Sequence, residues 1–243
     1  MSRARLRVLI GIGAVLAAAA ALALTLHGRQ AGSIAPRPAA QRPALLLLTS
    51  LPLVFGEDFS LQGGGSPALK ALGTRYRVVP ISVTDAADLG KGRLLLMAHP
   101  LAQPAEDLVA LDRWVRGGGR VLLLADPLLE WPSRRPLGDP LRPPPTFMDT
   151  GLLAHWGLRL DSPDARGPRA GKLGGYDVIT VSPGRLSGGC AIDAGRLVAR
   201  CRIGRGAATI VADADLLNAD DLGSGAAHNL DAVLTELATL ERM

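Results

Sequence analysis

From Glu106 to Pro127 the chain reads EDLVALDRWVRGGGRVLLLADP. Leu108, Leu111, Trp114 and Val115 recur at helical spacing. Gly117 to Gly119 then supply residues that can take positive φ and end a helix. Val121 to Ala125 is apolar without alternation, as a parallel strand buried on both faces requires. Similar apolar runs predict strands at Ala44–Thr49, Tyr76–Val83, Arg93–Ala98, Arg120–Ala125 and Ala207–Ala212. Pro67 to Leu72 reads as a helix with Ser66 as N-cap, because a serine oxygen accepts a free amide there and proline suits the first helical position. Phe147–Trp156 and Asn229–Leu240 are further predicted helices, and Leu158–Leu160 is a brief strand. Glu130 to Pro145 carries Pro132, Pro136, Pro140, Pro143, Pro144 and Pro145, which excludes regular structure. Ser162–Gly175, rich in glycine, is expected as a loop, and Tyr176–Ser182 as a strand at the sheet edge. Strands separated by helices imply a mostly parallel sheet with right-handed crossovers, an α/β domain over residues 44–243.

The first part of the chain follows a different pattern. Residues 1–7 are a basic tip with Arg3, Arg5 and Arg7, and Val8 to Leu26 carries no charge. At ~1.5 Å per residue this run is about as long as a bilayer core is thick, so residues 8–26 are expected to form a transmembrane anchor. The arginines in front keep the N-terminus cytoplasmic and put the rest of the chain outside. A cleaved signal peptide is the alternative, with Ala21-Leu22-Ala23 as a small-x-small cleavage site. Residues 27–43, rich in Ala, Pro, Arg and Gln, read as a linker.

Composition changes the picture at two points. The 243 residues carry a net charge of +5, which suggests a polyanion partner. Met1 to Arg42, however, holds six arginines and no acid, leaving 21 basic against 22 acidic residues in the remainder. A near-neutral domain argues against nucleic acid. The two cysteines, Cys190 and Cys201, bracket AIDAGRLVAR. A hairpin centred between Gly195 and Arg196 sets them directly opposite, and outside the cytoplasm they are expected to form a disulfide.

Ligands in open parallel sheets bind beyond the carboxyl ends of the strands. Thr49, Ser50, His99, Asp126 and Asp213 fall on that rim, with Trp131 in the proline-rich loop above. Ser50, His99 and Asp126 are the residue types of an acyl-transfer triad. Ser50 precedes Leu51-Pro52 and opens no helix, so it lacks the elbow and oxyanion hole such a nucleophile needs. His99 and Asp126 read equally well as strand-end residues bonding backbone, or as binding residues together with Trp131. Asp213 and Asp215 are the best candidates for a divalent metal, with capping of a helical turn as the competing role. No cofactor motif is present; GxxxxGK[ST] does not occur.

Three stretches, LLLLTSLPLVFGE (Leu45–Glu57), ALDRWVRGGGRVLLLADP (Ala110–Pro127) and GRGAATIVADADLLN followed by HNLDAVLTELATL, resemble the extracytoplasmic domain of gliding-motility-type ABC-transporter auxiliary proteins. The resemblance implies a flavodoxin-like, class I glutamine amidotransferase-like three-layer sandwich without catalytic activity. Neither cysteine stands in a Gly-x-Cys-x-Gly elbow, so glutamine hydrolysis is not expected. The implied protein is a single-pass, N-in component of the bacterial inner membrane. Its domain would lie in the periplasm and bind an ABC permease or ATPase or another envelope protein. The alternatives are a periplasmic hydrolase and a ligand or glycan sensor using the same rim.

Overall fold

A computed structural model describes residues 34–56 and 65–243. The expected membrane span, residues 8–26, lies outside them. Among the described residues no helix is long and apolar enough to cross a membrane.

The elements run β1 (Ala44–Thr49), α1 (Pro67–Gly73), β2 (Arg77–Pro80), α2 (Ala86–Leu89), β3 (Leu94–Ala98), α3 (Ala105–Arg116), β4 (Arg120–Leu124), α4 (Leu152–His155), β5 (Leu158–Asp161), β6 (Pro168–Leu173), β7 (Tyr176–Val181), β8 (Arg185–Gly188), β9 (Ala191–Ile192), β10 (Val198–Ile203), β11 (Gly206–Val211) and α5 (Asn229–Glu241). The main sheet has the order β2-β1-β3-β4-β11-β10-β9. Its first five strands are parallel, and β10 and β9 add antiparallel at one side. α1 packs with α5 and α2 with α3. Right-handed crossovers put α1 on one face and α2 and α3 on the other, an arrangement compatible with a three-layer α/β fold.

The leucines of β1, β3 and β4 form the middle of the core; Leu45, Leu46, Leu95, Leu96, Leu122 and Leu123 are fully buried. Each contributes roughly 1.5–3 kcal/mol relative to exposure. α1 starts as expected, with the Ser66 hydroxyl accepting the Leu69 amide at 3.1 Å. After α3, Gly119 lies flat under Trp114: a Cβ there would stand 2.2 Å from the indole ring. That contact admits only glycine at the turn into β4.

Three expectations need correction. The glycine-rich stretch after Ser162 is not all loop, because Pro168–Leu173 forms β6 and pairs antiparallel with β7. Gly174 and Gly175, at φ 60° and 88°, make the two-residue turn between them. β7 therefore belongs to this separate hairpin and not to the edge of the main sheet. The helix expected over Phe147–Trp156 is reduced to α4, since Gly151 takes φ 102° and the Asp149 carboxylate accepts the Gly151 and Leu153 amides.

The cysteine register holds. Ala191 faces Arg200 and Ile192 faces Ala199, so Cys190 comes opposite Cys201, and the two form a disulfide with Cα atoms 4.9 Å apart. The last part of the expected linker lies against the domain. Arg37 donates its amide to Thr74 O at 2.9 Å and pairs with Glu241 at 2.9 Å, while the Arg75 guanidinium donates to Ala35 O.

Candidate functional site

At the carboxyl ends of β1 and β3 the sheet order reverses direction, the usual place for a ligand crevice. Here the crevice is closed by the protein's own groups. Thr49 Oγ1 donates to Ala98 O at 2.9 Å and accepts the Leu51 amide at 2.9 Å. Ser50 Oγ donates to His99 O at 2.5 Å. The imidazole of His99 is fully buried, with Nε2 2.8 Å from Pro144 O. Nε2 therefore carries the proton, and Nδ1 has no partner. Burial lowers the His99 pKa from 6.5 despite the opposing bond to Pro144, so the ring is neutral. The proline-rich loop is pinned over the strand ends at two further points, Leu129 N to Pro145 O at 2.9 Å and Phe147 N to Asp126 O at 2.7 Å.

Ser50, His99 and Asp126 thus come to one rim but form no relay. Ser50 meets the backbone carbonyl of His99 and not its ring. Both Asp126 oxygens accept backbone amides, Leu128 at 2.9 Å and Ala214 at 2.8 Å. Asp213 is committed in the same way, to Val181 at 2.7 Å and Leu216 at 2.8 Å, the second bond tying it to the turn Asp215–Leu217, whose N-cap position is Ala214. Asp215 accepts the Glu130 amide at 2.8 Å. Among the described residues no group of three or more His, Cys, Asp or Glu is placed to hold a metal ion. The Asp213–Asp215 pair works as a set of loop anchors.

Burial is the largest influence on these carboxyls and outweighs their amide bonds. It raises Asp126 to about 6 and Asp215 to about 7, and Asp213 also rises, pushed further by Asp126 nearby. Two partners escaped the sequence reading: Ser182, which donates to Glu130 Oε1 at 2.5 Å, and Asn229, which bonds both the amide and the carbonyl of Ile179. Ser182 at φ 48° and His99 at φ 45° are both in the left-handed region. No local pattern marks them, because their partners come from distant loops.

Beside the closed crevice a groove of about 430 Å³ remains open, lined mainly by Leu51, Pro52, Val54, Phe55, Leu141 and Pro143. Thr49 and Arg135 add polar groups to it. Phe55 is 52% exposed and Leu141 55%. Trp131, the expected interface residue, is half-buried in the loop and does not line this groove. Trp156 packs inward and donates to Asp112 at 3.0 Å.

No protein family and no curated protein matches this chain. Among solved structures, the N-terminal domain of mmIFT52 is 16% identical with a TM-score of 0.50, the match covering 81% of this chain and 97% of that one. The exo-β-1,4-mannosidase Op5Man5 from Opitutaceae bacterium strain TAV5 is 15% identical, TM-score 0.45, over 82% of this chain and 36% of the mannosidase. A β-galactosidase from Rahnella sp. R3 is 13% identical, TM-score 0.44, over 82% of this chain and 31% of the enzyme. The chain thus spans about a third of those two enzymes. At such identity the likeness concerns the fold alone.

Proposed function

We propose that this chain is a membrane-anchored, non-enzymatic binding component of an ABC-type transport system. Its domain has the flavodoxin-like, class I glutamine amidotransferase-like fold and acts on the outer side of the bacterial inner membrane. The strand order β2-β1-β3-β4-β11 is the doubly wound order in which a ligand would enter between β1 and β3. The observation that carries the reading is the contrast within the carboxyl rim. The crevice that would hold a small ligand is filled by His99 and the loop at Pro144, while the adjoining groove is open and apolar. A surface of that kind suits a protein segment better than a polar substrate. The partner is an extracytoplasmic loop of an ABC permease, with apolar side chains entering between Phe55 and Leu141. Tethering to the same bilayer lets a weak contact suffice, because the effective concentration is high.

The test is co-purification of the full-length tagged protein from its native membranes in mild detergent, with mass spectrometry of what accompanies it. Wild type should recover an ABC permease, and Phe55→Asp with Leu141→Asp should reduce recovery at least tenfold. Recovery unaffected by these changes, or no permease beside intact wild type, overturns the proposal. Deleting residues 130–145 would be a poorer test, since the Glu130 amide and Pro144 carbonyl belong to the buried network.

A further inference from the structure

Each of the five parallel strands begins beside an arginine. Arg42 lies just before β1, Arg77 opens β2, Arg93 precedes β3, Arg120 opens β4 and Arg205 precedes β11. The register pairs Ala44 with Arg77, Leu94 with Arg120 and Ala207 with Arg120, which draws the strand starts into one row. Among the described residues none of Arg77, Arg93, Arg120 and Arg205 is paired with a carboxylate, and Arg77, Arg93 and Arg205 are exposed. The acids of this edge are engaged elsewhere: Glu241 with Arg37, Asp88 with Lys91, Asp112 with Arg116. A cleft of about 650 Å³ opens here, lined by Lys91, Arg93, Arg120, Trp114, the Gly117–Gly119 turn and Glu241. Arg120 Nε lies buried without a partner.

The chain enters the domain at the same edge, since Ala35 and Arg37 are bonded to Arg75, Thr74 and Glu241. Only residues 27–33 separate Ile34 from the apolar run Val8–Leu26. Fully extended they reach about 25 Å. We propose that this arginine edge docks on the anionic lipid headgroups of the membrane that holds the apolar run, an inference that rests on the anchor in the proposed function. Chain length keeps the edge close to the bilayer, and the exposed guanidiniums of Arg77, Arg93 and Arg205, which pair with no carboxylate among the described residues, suit phosphate oxygens. Cations also offset the carbonyl ends of helices, and Arg113 and Arg116 in the last turn of α3 serve that role. Arg77, Arg93 and Arg205 stand at strand starts, outside any helix. Docking would turn the carboxyl rim and its apolar groove away from the lipid, toward a partner.

The test is hydrogen exchange by mass spectrometry on the full chain reconstituted in nanodiscs of phosphatidylcholine, with or without phosphatidylglycerol. Phosphatidylglycerol should slow exchange at residues 90–93 and 117–120, and the protection should fade with added salt. Arg77→Glu, Arg93→Glu and Arg205→Glu together should abolish it, docking weakening about five-fold or more for each charge reversed. Arg166→Glu, beside Pro127 and Leu128 near the opposite rim, should leave it intact. Equal exchange in the two kinds of disc overturns the inference. So does equal protection by inorganic phosphate alone, which would mean a free-anion site, or by a duplex oligonucleotide. A chain that does not stay with the discs removes the anchor itself, and with it both this inference and the membrane part of the proposed function.

Discussion

At the carboxyl ends of the strands Asp126 and Asp213 commit every carboxylate oxygen to a backbone amide, and Asp215 adds a third anchor, all of them buried. At the amino ends Arg77, Arg93 and Arg205 face solvent. Both distributions suit parallel topology, since helix N-termini at one edge favour anions and C-termini at the other favour cations. The difference lies in burial. Charge removed from water must be used internally, so these rim carboxylates are structural. Charge left in water stabilises the fold little, so the amino edge is available for an external partner.

The largest effect should follow from breaking the buried side. Asp213→Ala strands the Val181 and Leu216 amides, each unsatisfied group costing about 1–3 kcal/mol. A loss of about 2–6 kcal/mol in urea-unfolding free energy is expected. A loss near zero would mean that these amides find water, and the distinction between the two edges would fail.

The pH dependence should have two opposed parts on the same rim. Asp126 and Asp215 rise from 3.8 to about 6 and about 7, and Asp213 rises with them. Their folded forms hold protons that the unfolded chain releases, so their contribution is full below pH 3.8; that of Asp126 and Asp215 is lost as pH climbs through about 6 to 7, and that of Asp213 is likewise lost as pH rises. His99 works the other way: its folded pKa lies below 6.5, and the stability it contributes is lost as pH falls below that value. His99→Asn removes only the second part, asparagine tolerating the positive φ. It should cost on the order of 1–2 kcal/mol at pH 8, through the lost ring packing and Pro144 bond. It should also steepen the decline in urea midpoint from pH 4.5 to pH 8. Parallel profiles for the variant and wild type would refute the assignment to His99.

The parts legible in the sequence were those with local signals. The leucine runs of β1, β3 and β4, the Ser66 cap and the 190–201 register each depend on neighbours a few residues away. β6 was hidden because Arg169, Ala170 and Gly171 form no apolar alternation, although Leu173-Gly-Gly-Tyr176 carried a hairpin signal. The plug over the rim joins His99 to Pro144 and Asp126 to Ala214, pairs that no spacing rule links. The arginine edge was lost for another reason. Summing charge along the chain cancels Arg77, Arg93, Arg120 and Arg205 against acids that the topology sends largely to the opposite end, among them Asp85, Glu106, Asp107, Asp126 and Asp213. Near-neutrality of the sum therefore said little about the domain's surface.

The smallest expected effect is the most discriminating for the amino edge. Arg77→Gln, Arg93→Gln and Arg205→Gln keep most of each stem and remove only the charge. Among the described residues the one side-chain bond they disturb is Arg205 Nη2 to Gly117 O, at 3.3 Å and exposed. Exposed substitutions of this kind usually change stability by no more than about 0.5 kcal/mol each, and removing like charges from one edge relieves some repulsion. The triple variant should therefore unfold within about 1 kcal/mol of wild type while losing its response to anionic lipid. A loss above about 2 kcal/mol would instead make these arginines structural, holding helix ends and the turn at Gly117. The two edges would then differ in sign of charge but not in use.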